Sequence, residues 1–148
     1  LNGLLIFMFE MPLVKYMEQK GGTKIANIIL GCVLTGLSFL LLNMTGWAGI
    51  LIVGMVLMTV GEMIAFPFSN AFAMQRARRG NQGEYMALYS IAFSVSHILG
   101  HNSGMQFIAG YGFEATWFIM TGLCGICCLL LLILQRKLTQ EQKQAVNG

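Results

Sequence analysis

Four long apolar segments dominate the sequence, and they limit what the chain can fold into. Each has the roughly 20 residues that an α-helix needs to cross a hydrocarbon layer of about 30 Å. Only 10% of the residues are charged, whereas a soluble domain carries about a quarter. The sequence therefore predicts an all-α, polytopic transmembrane helical bundle. The segments run approximately over Ile25–Met44, Gly46–Ala73, Tyr85–Gly110 and Ala115–Leu134.

A shorter apolar segment, LNGLLIFMFEMPLV, precedes these four and ends before Lys15. As a helix it would reach only about 21 Å, which is less than the hydrocarbon core of a bilayer. We therefore expect the chain to begin inside a helix and to be the C-terminal part of a larger membrane protein. Residues 1–138 are predicted to form one truncated and four complete helices, and residues 139–148 a short cytoplasmic tail.

The basic residues predict the orientation of the helices. The two turns NMTGW and GYGFEA carry none of them. Because basic loops stay on the cytoplasmic side of a membrane, the basic clusters and the C-terminus are predicted to be cytoplasmic. Trp47 and Trp117 then lie at the outer edge, where amphipathic aromatic residues are common. The clusters are Lys15, Lys20 and Lys24; Arg76, Arg78 and Arg79; and Arg136, Lys137 and Lys143.

Several function classes are disfavoured by the same patterns. The basic residues lie at the ends of apolar segments, which does not suggest a nucleic-acid partner. No Walker A motif is present, so the sequence gives no sign of ATP hydrolysis. The motif CGICC contains a CxxC, but no polar surroundings would support a thiolate for zinc or redox chemistry. We therefore predict no enzyme activity, no cofactor and no metal, and a packing role for Cys32, Cys124, Cys127 and Cys128.

In the apolar sequence from Met44 to Gln75, Glu62 is the only charged residue. It lies about 21 Å along a helix from Arg76, near the middle of a membrane, where a charge costs roughly 2.5–3.5 kcal/mol. Phe66 and Asn70 follow at four-residue spacing on the same helix face, and Pro67 removes one backbone donor. Glu62 is either a protonated acid that bonds a neighbouring helix or a group that binds substrate or proton in a cavity. We favour the second interpretation.

The third complete segment carries two stripes at four-residue spacing. One consists of small residues, which allow a neighbouring helix to approach closely. The other offers aromatic and titratable groups, and its His97 is predicted at a depth similar to that of Glu62. Structural hydrogen bonding by the histidines stays open, as does a metal site, because HxxxH has metal-ligand spacing. The stripes are Ala92, Ser96, Gly100 and Gly104, and Tyr89, Phe93, His97 and His101.

Three stretches carry a resemblance to a known family: PLVKYMEQKGGTKIANIILG, RARRGNQGEYMALYSIAFS and HILGHNSGMQFIAGYG. With the topology and the stripes, they resemble the C-terminal half of a major facilitator superfamily transporter, approximately spans eight to twelve. The likeness is closest to the bacterial drug:proton antiporter type. The first stretch departs from the loop signature of that family, Gly-x-x-x-Asp-Arg-x-Gly-Arg-Arg, because it lacks the acidic residue and has Pro12 in place of the first glycine.

The resemblance implies a secondary active transporter in the bacterial plasma (inner) membrane that works by alternating access and exports a small or drug-like molecule by proton coupling. Its partners would be that substrate, a proton, the lipid bilayer and the missing N-terminal half of the same chain. The alternatives are a membrane-embedded metal or redox protein that uses Glu62, His97 and His101, and a non-transporting helical scaffold. The predicted substrate or proton site is Glu62, His97, Phe66, Asn70, Tyr89, Phe93 and His101, with Ala92, Ser96, Gly100, Gly104 and Pro67 for helix packing.

Overall fold

The computed structural model describes residues 2–44, 48–77 and 80–147, and this part of the chain folds into α-helices joined by turns. The predicted all-α class is confirmed. The predicted segment start at Gly46, the outer position of Trp47, and Arg78 and Arg79 lie outside the described residues. The helices are α1 (Asn2–Gln19), α2 (Lys24–Met44), α3 (Ala48–Arg76) and α4 (Gln82–Asn147).

Helix α4 is a hairpin of two arms, residues 82–111 and residues 113–147. Its backbone leaves the helical conformation at Gly112, where φ is 79° and ψ is 173°, a region that favours glycine because it has no Cβ. A Cβ placed on Gly104 would lie 3.8 Å from Met120 Cε, whereas a straight helix would separate these residues by about 24 Å. The arms therefore fold back on each other, as the turn GYGFEA predicted.

Within the described part of the chain, three helices are long and apolar enough to cross a membrane, namely residues 24–43, 49–76 and 82–141. The last of these is far longer than a bilayer requires, and the break at Gly112 divides it into two arms that are each long enough to span. This division agrees with the two separate segments that the sequence predicted over Tyr85–Gly110 and Ala115–Leu134. The C-terminal residues continue the second arm as helix as far as Asn147.

Helices α2 and α3 approach each other so closely that their backbones are in contact. A Cβ on Gly31 would lie 2.7 Å from the Gly61 carbonyl oxygen and 2.9 Å from the Ala65 nitrogen. A Cβ on Gly61 would lie 2.8 Å from the Gly31 carbonyl oxygen. Since helices in lipid associate largely through close packing of small residues, this crossing fixes α3 on α2.

The second arm of α4 packs on a different face of α2. The rings of Phe39 and Trp117 stack with centroids 5.7 Å apart, and the Cys32 thiol donates to the Cys124 carbonyl at 3.6 Å. A Cβ on Gly36 would lie 3.3 Å from the Cys124 Cβ. Cys32 and Cys124 therefore sit in a helix–helix contact, which is the packing role that the sequence predicted for them.

The basic regions of the chain meet at one end of the bundle. A cavity of about 490 Å³ is lined by Lys24 at the start of α2, by Arg76 at the end of α3, and by Gln135 and Thr139 beside the basic residues of α4. The three basic regions therefore lie at the same end of the helix bundle. The orientation predicted from the positive-inside rule requires this arrangement.

Candidate functional site

Glu62 is the central residue of α3, because this helix runs from Ala48 to Arg76. It directly follows Gly61, whose backbone lies against α2, so the crossing of the two helices fixes the position of its Cα. Its side chain is half-buried and interacts with the surrounding protein. Pro67 lies one turn further along, and α3 continues through it without a break.

Helix α3 meets the first arm of α4 through aromatic and hydroxyl groups. The ring of Phe66 contacts the ring of Phe93 edge-on with centroids 5.6 Å apart. One turn toward the basic end, the Ser69 hydroxyl and the Tyr89 hydroxyl are 2.8 Å apart and share a hydrogen bond. Along the arm of α4, the ring of Phe93 lies 6.3 Å from that of His97. Four of these five residues belong to the predicted site, and Ser69 was missed.

These contacts define the register of the two helices. Phe66 pairs with Phe93 and Ser69 with Tyr89, so the position on α3 rises as the position on α4 falls, as in an antiparallel pair. Continuing this register by one turn from Phe66 and Phe93 puts Glu62 level with His97. His97 is also close to the middle of its arm, which covers residues 82–111. This register agrees with a common depth for Glu62 and His97, and their role as an acid and its titratable partner stays a prediction.

The face that carries these residues is open. Phe66 is 48% exposed and Phe93 is 45% exposed, and Asn70, His97 and His101 are exposed as well. Asn70 directly follows Ser69 at one end of the row, and His101 lies one turn beyond His97 at the other end. An exposed row of aromatic, amide and imidazole groups between two apolar helices offers polar and aromatic contacts to a ligand at mid-membrane depth.

Most of the small-residue stripe of α4 lies apart from the helix contacts among the described residues. Ala92, Ser96 and Gly100 are exposed, and a Cβ on Gly100 would meet no atom within 4 Å among the described residues. Gly104 faces Met120 of the second arm. Close packing along the whole stripe therefore stays a prediction. The close approach that the structure does contain, at Gly31 and Gly61, was not found from the sequence, although both glycines stand inside apolar segments.

The metal alternative gains no support from this arrangement. Among the described residues, no three histidine, cysteine, aspartate or glutamate side chains are grouped closely enough to hold a metal ion. His97 and His101 are one helical turn apart on an exposed face, and the ring that His97 contacts is that of Phe93. The grouping of the two histidines with Glu62 as metal ligands is therefore not favoured.

Comparison with known proteins identifies the family. The sequence model of the Major Facilitator Superfamily matches residues 1–148. The chain belongs to the Major Facilitator Superfamily. It is similar to the uncharacterized MFS-type transporter YttB of Bacillus subtilis strain 168, with 28% identity over 115 residues, which is 77% of this chain and 29% of that protein. No solved structure gives a significant match. The chain spans less than a third of the length of this relative. Its family and its apolar helices indicate a multi-pass membrane protein.

Proposed function

We propose that the full-length protein is a secondary active transporter of the Major Facilitator Superfamily that exports a small molecule by alternating access. Membership of the family supports transport, and the relative that the chain resembles is named as an MFS-type transporter. Secondary carriers bind their substrates near the bilayer midplane. The observation that supports the proposal is the contact of α3 with the first arm of α4 through Phe66 and Phe93 and through Ser69 and Tyr89. Extending this register by one turn leads to Glu62 on α3 and His97 on α4.

We further propose that Glu62 and His97 exchange a proton for substrate. A carboxyl group in a membrane interior holds its proton when no cation is near, and it ionises when a cation comes next to it. A carboxyl and an imidazole at one depth can therefore bind either a proton or a cationic substrate. Binding of one then favours release of the other, which is the exchange that a proton-coupled exporter needs.

The aromatic neighbours suggest the substrate class. Phe66 and Phe93 present ring edges and faces on the open surface, and Tyr89 adds a third ring that its bond to Ser69 holds in place. Aromatic faces attract cations, and they also stack on planar apolar groups. We propose a planar, apolar organic cation as the substrate. The basic clusters favour a cytoplasmic C-terminus, and we propose this orientation with the bacterial plasma (inner) membrane as the location.

The experiment replaces Glu62 by glutamine in the full-length transporter. Glu62→Gln keeps the shape and the hydrogen-bonding capacity of the side chain but removes its ionisation. In proteoliposomes with an imposed proton gradient, and with ethidium as the planar cationic probe, we expect proton-driven transport to fall to background. If Glu62 carries the proton, exchange of ethidium without a proton gradient should persist in the variant. If Glu62 contacts the cation itself, the variant should bind ethidium more weakly at equilibrium.

Glu84→Gln is the matched control, because Glu84 is exposed in the first turn of α4 and undergoes the same chemical change away from the site. It should transport as the wild type does. Proton-driven transport by Glu62→Gln at the rate of the wild type would refute the proposed site.

A further inference from the structure

A second candidate site lies at the basic end of the bundle, away from Glu62. The cavity of about 490 Å³ there is lined by two cationic side chains, Lys24 and Arg76, and by the amides of Gln75 and Gln135. A neighbouring cavity of about 360 Å³ shares Gln135 with it and adds Arg136 and Lys143. No carboxylate is among the described residues that line either cavity. The combined surface is therefore cationic and rich in hydrogen-bond donors.

The cationic groups are held by contacts within the bundle. The Lys24 ammonium donates to the Ala71 carbonyl at 3.4 Å, which keeps it beside α3 while two of its three donors stay available. Arg76 pairs with Glu141 of the C-terminal tail at 3.8 Å, and both side chains are about half exposed or more, at 49% and 63%. An exposed ion pair of this kind contributes little and exchanges readily. A stronger anion could therefore replace Glu141 on Arg76.

Two further features of the cavity wall suit an anion. Gly22 and Thr23 lead into the N-terminus of α2. The Thr23 hydroxyl caps this helix by accepting a hydrogen bond from the Ala26 N–H at 3.3 Å, and the helix dipole attracts negative charge to the same end. Behind them lies Asn27, which is only 8% exposed, and whose side-chain nitrogen has no hydrogen-bond partner among the described residues. A Cβ on Gly22 would lie 3.3 Å from the Asn27 side-chain oxygen. Asn27 does not itself line the cavity, so this buried polar donor without an acceptor stands behind the wall that Gly22 forms.

The position of the cavity favours a lipid as the source of the anion. Lys24 begins α2 and Arg76 ends α3, so the cavity opens where two membrane-spanning helices leave their apolar surroundings. Ile25, Phe72 and Leu138 form its apolar wall. A phospholipid has a phosphate at this level and acyl chains on the apolar side, whereas a soluble phosphate would use only the polar part. Basic pockets between transmembrane helices on the cytoplasmic side are typical binding sites for anionic headgroups.

We propose that this cavity binds the phosphate of an anionic phospholipid, with Lys24 and Arg76 as its cationic contacts and Glu141 as the internal group that competes for Arg76. The proposal is independent of the transport site, because it uses other residues at another depth.

Native mass spectrometry of the purified full-length transporter tests the proposal. The lipids are phosphatidylglycerol and phosphatidylcholine with identical acyl chains, titrated in a non-ionic detergent. We expect the wild type to bind phosphatidylglycerol more tightly. Lys24→Gln and Arg76→Gln should each weaken that binding about fivefold, which is the contribution of one basic residue near an anionic surface. Glu141→Gln should strengthen it, a gain that a folding defect could not produce.

Lys15→Gln is the matched control, because Lys15 is an exposed cation of α1 that does not line the cavity. An equal loss of binding in Lys15→Gln and Lys24→Gln would mean general surface attraction and would overturn the assignment. A second arm adds inorganic phosphate. Displacement of phosphatidylglycerol by phosphate at similar concentrations would show that a soluble anion, and not a lipid, occupies the cavity. Equal binding of both lipids by the wild type would also overturn the proposal.

Discussion

Replacement of Gly61 by alanine tests the backbone contact between α2 and α3. The added Cβ would lie 2.5 Å from the Thr35 hydroxyl oxygen, 2.8 Å from the Gly31 carbonyl oxygen and 3.2 Å from the Thr35 nitrogen. Ordinary contacts between a methyl carbon and these atoms are about 3.5 Å or longer. Two of the three atoms belong to the backbone of α2 and cannot rotate away. The helices must therefore separate by several tenths of an ångström along their crossing.

The magnitude follows from the overpacking of a close contact. Extra methyl groups in a tightly packed interior cost about 1–3 kcal/mol. The distances at Gly61 are short, so we expect a cost in the upper part of that range. We therefore expect Gly61→Ala to reduce the free energy of unfolding by about 2–3 kcal/mol, which is about 30- to 150-fold in the unfolding equilibrium constant. The assay is unfolding of the full-length protein in mixed micelles of a mild and a denaturing detergent.

Gly125→Ala is the matched control, because a Cβ on Gly125 would meet no atom within 4 Å among the described residues. It should be neutral or slightly stabilising, since alanine is the better helix former. Combining Gly61→Ala with Thr35→Ala removes the hydroxyl contact but keeps the Gly31 carbonyl contact, so stability should recover only in part. Equal stabilities of Gly61→Ala and Gly125→Ala would refute the backbone contact.

Two further predictions concern the α3–α4 contact and the topology. Tyr89→Phe removes the hydrogen bond between the hydroxyls of Tyr89 and Ser69 and should lower stability by about 0.5–1.5 kcal/mol in the same detergent assay; Tyr85→Phe, one turn earlier, is the control and should change little. In a cysteine-free background, a cysteine at Phe113, just after the break at Gly112, should react in whole cells with a membrane-impermeant maleimide, and a cysteine at Gln82 should not. The reverse labelling pattern would contradict the predicted orientation.

The fold class followed from the sequence because it depends on the length and hydropathy of whole segments. The turn GYGFEA was also predictable, since two apolar segments of spanning length could not otherwise be accommodated, and the break occurs at Gly112 within it. The crossing of Gly31 with Gly61 was not predictable. Many glycines stand in the apolar segments, and which pair meets depends on the rotation of each helix, which apolar sequence leaves undetermined.

The candidate site was partly predictable for a similar reason. Four-residue spacing puts Phe93 and His97 on one face whatever the surroundings, and the structure keeps them in contact. Which residue of α3 faces which residue of α4 depends on the register between the helices. That register is set by contacts such as the hydrogen bond between the hydroxyls of Ser69 and Tyr89. A serine in a helix can also bond to the backbone of its own helix, and the sequence does not distinguish the two cases.

Gly61 and Glu62 show how one helix can serve packing and binding at once. Successive residues of an α-helix differ in direction by about 100°, so the residue after the tightest contact with α2 points to a different side. Gly61 holds α3 against α2 through backbone atoms. The turn that carries Glu62 and Phe66 is thereby fixed on α2 without any side chain of the site being needed for that contact. Phe66 can then remain half exposed against Phe93. If this division is correct, Gly61→Ala should impair transport by displacing Glu62 along with the helix, and Gly125→Ala should not.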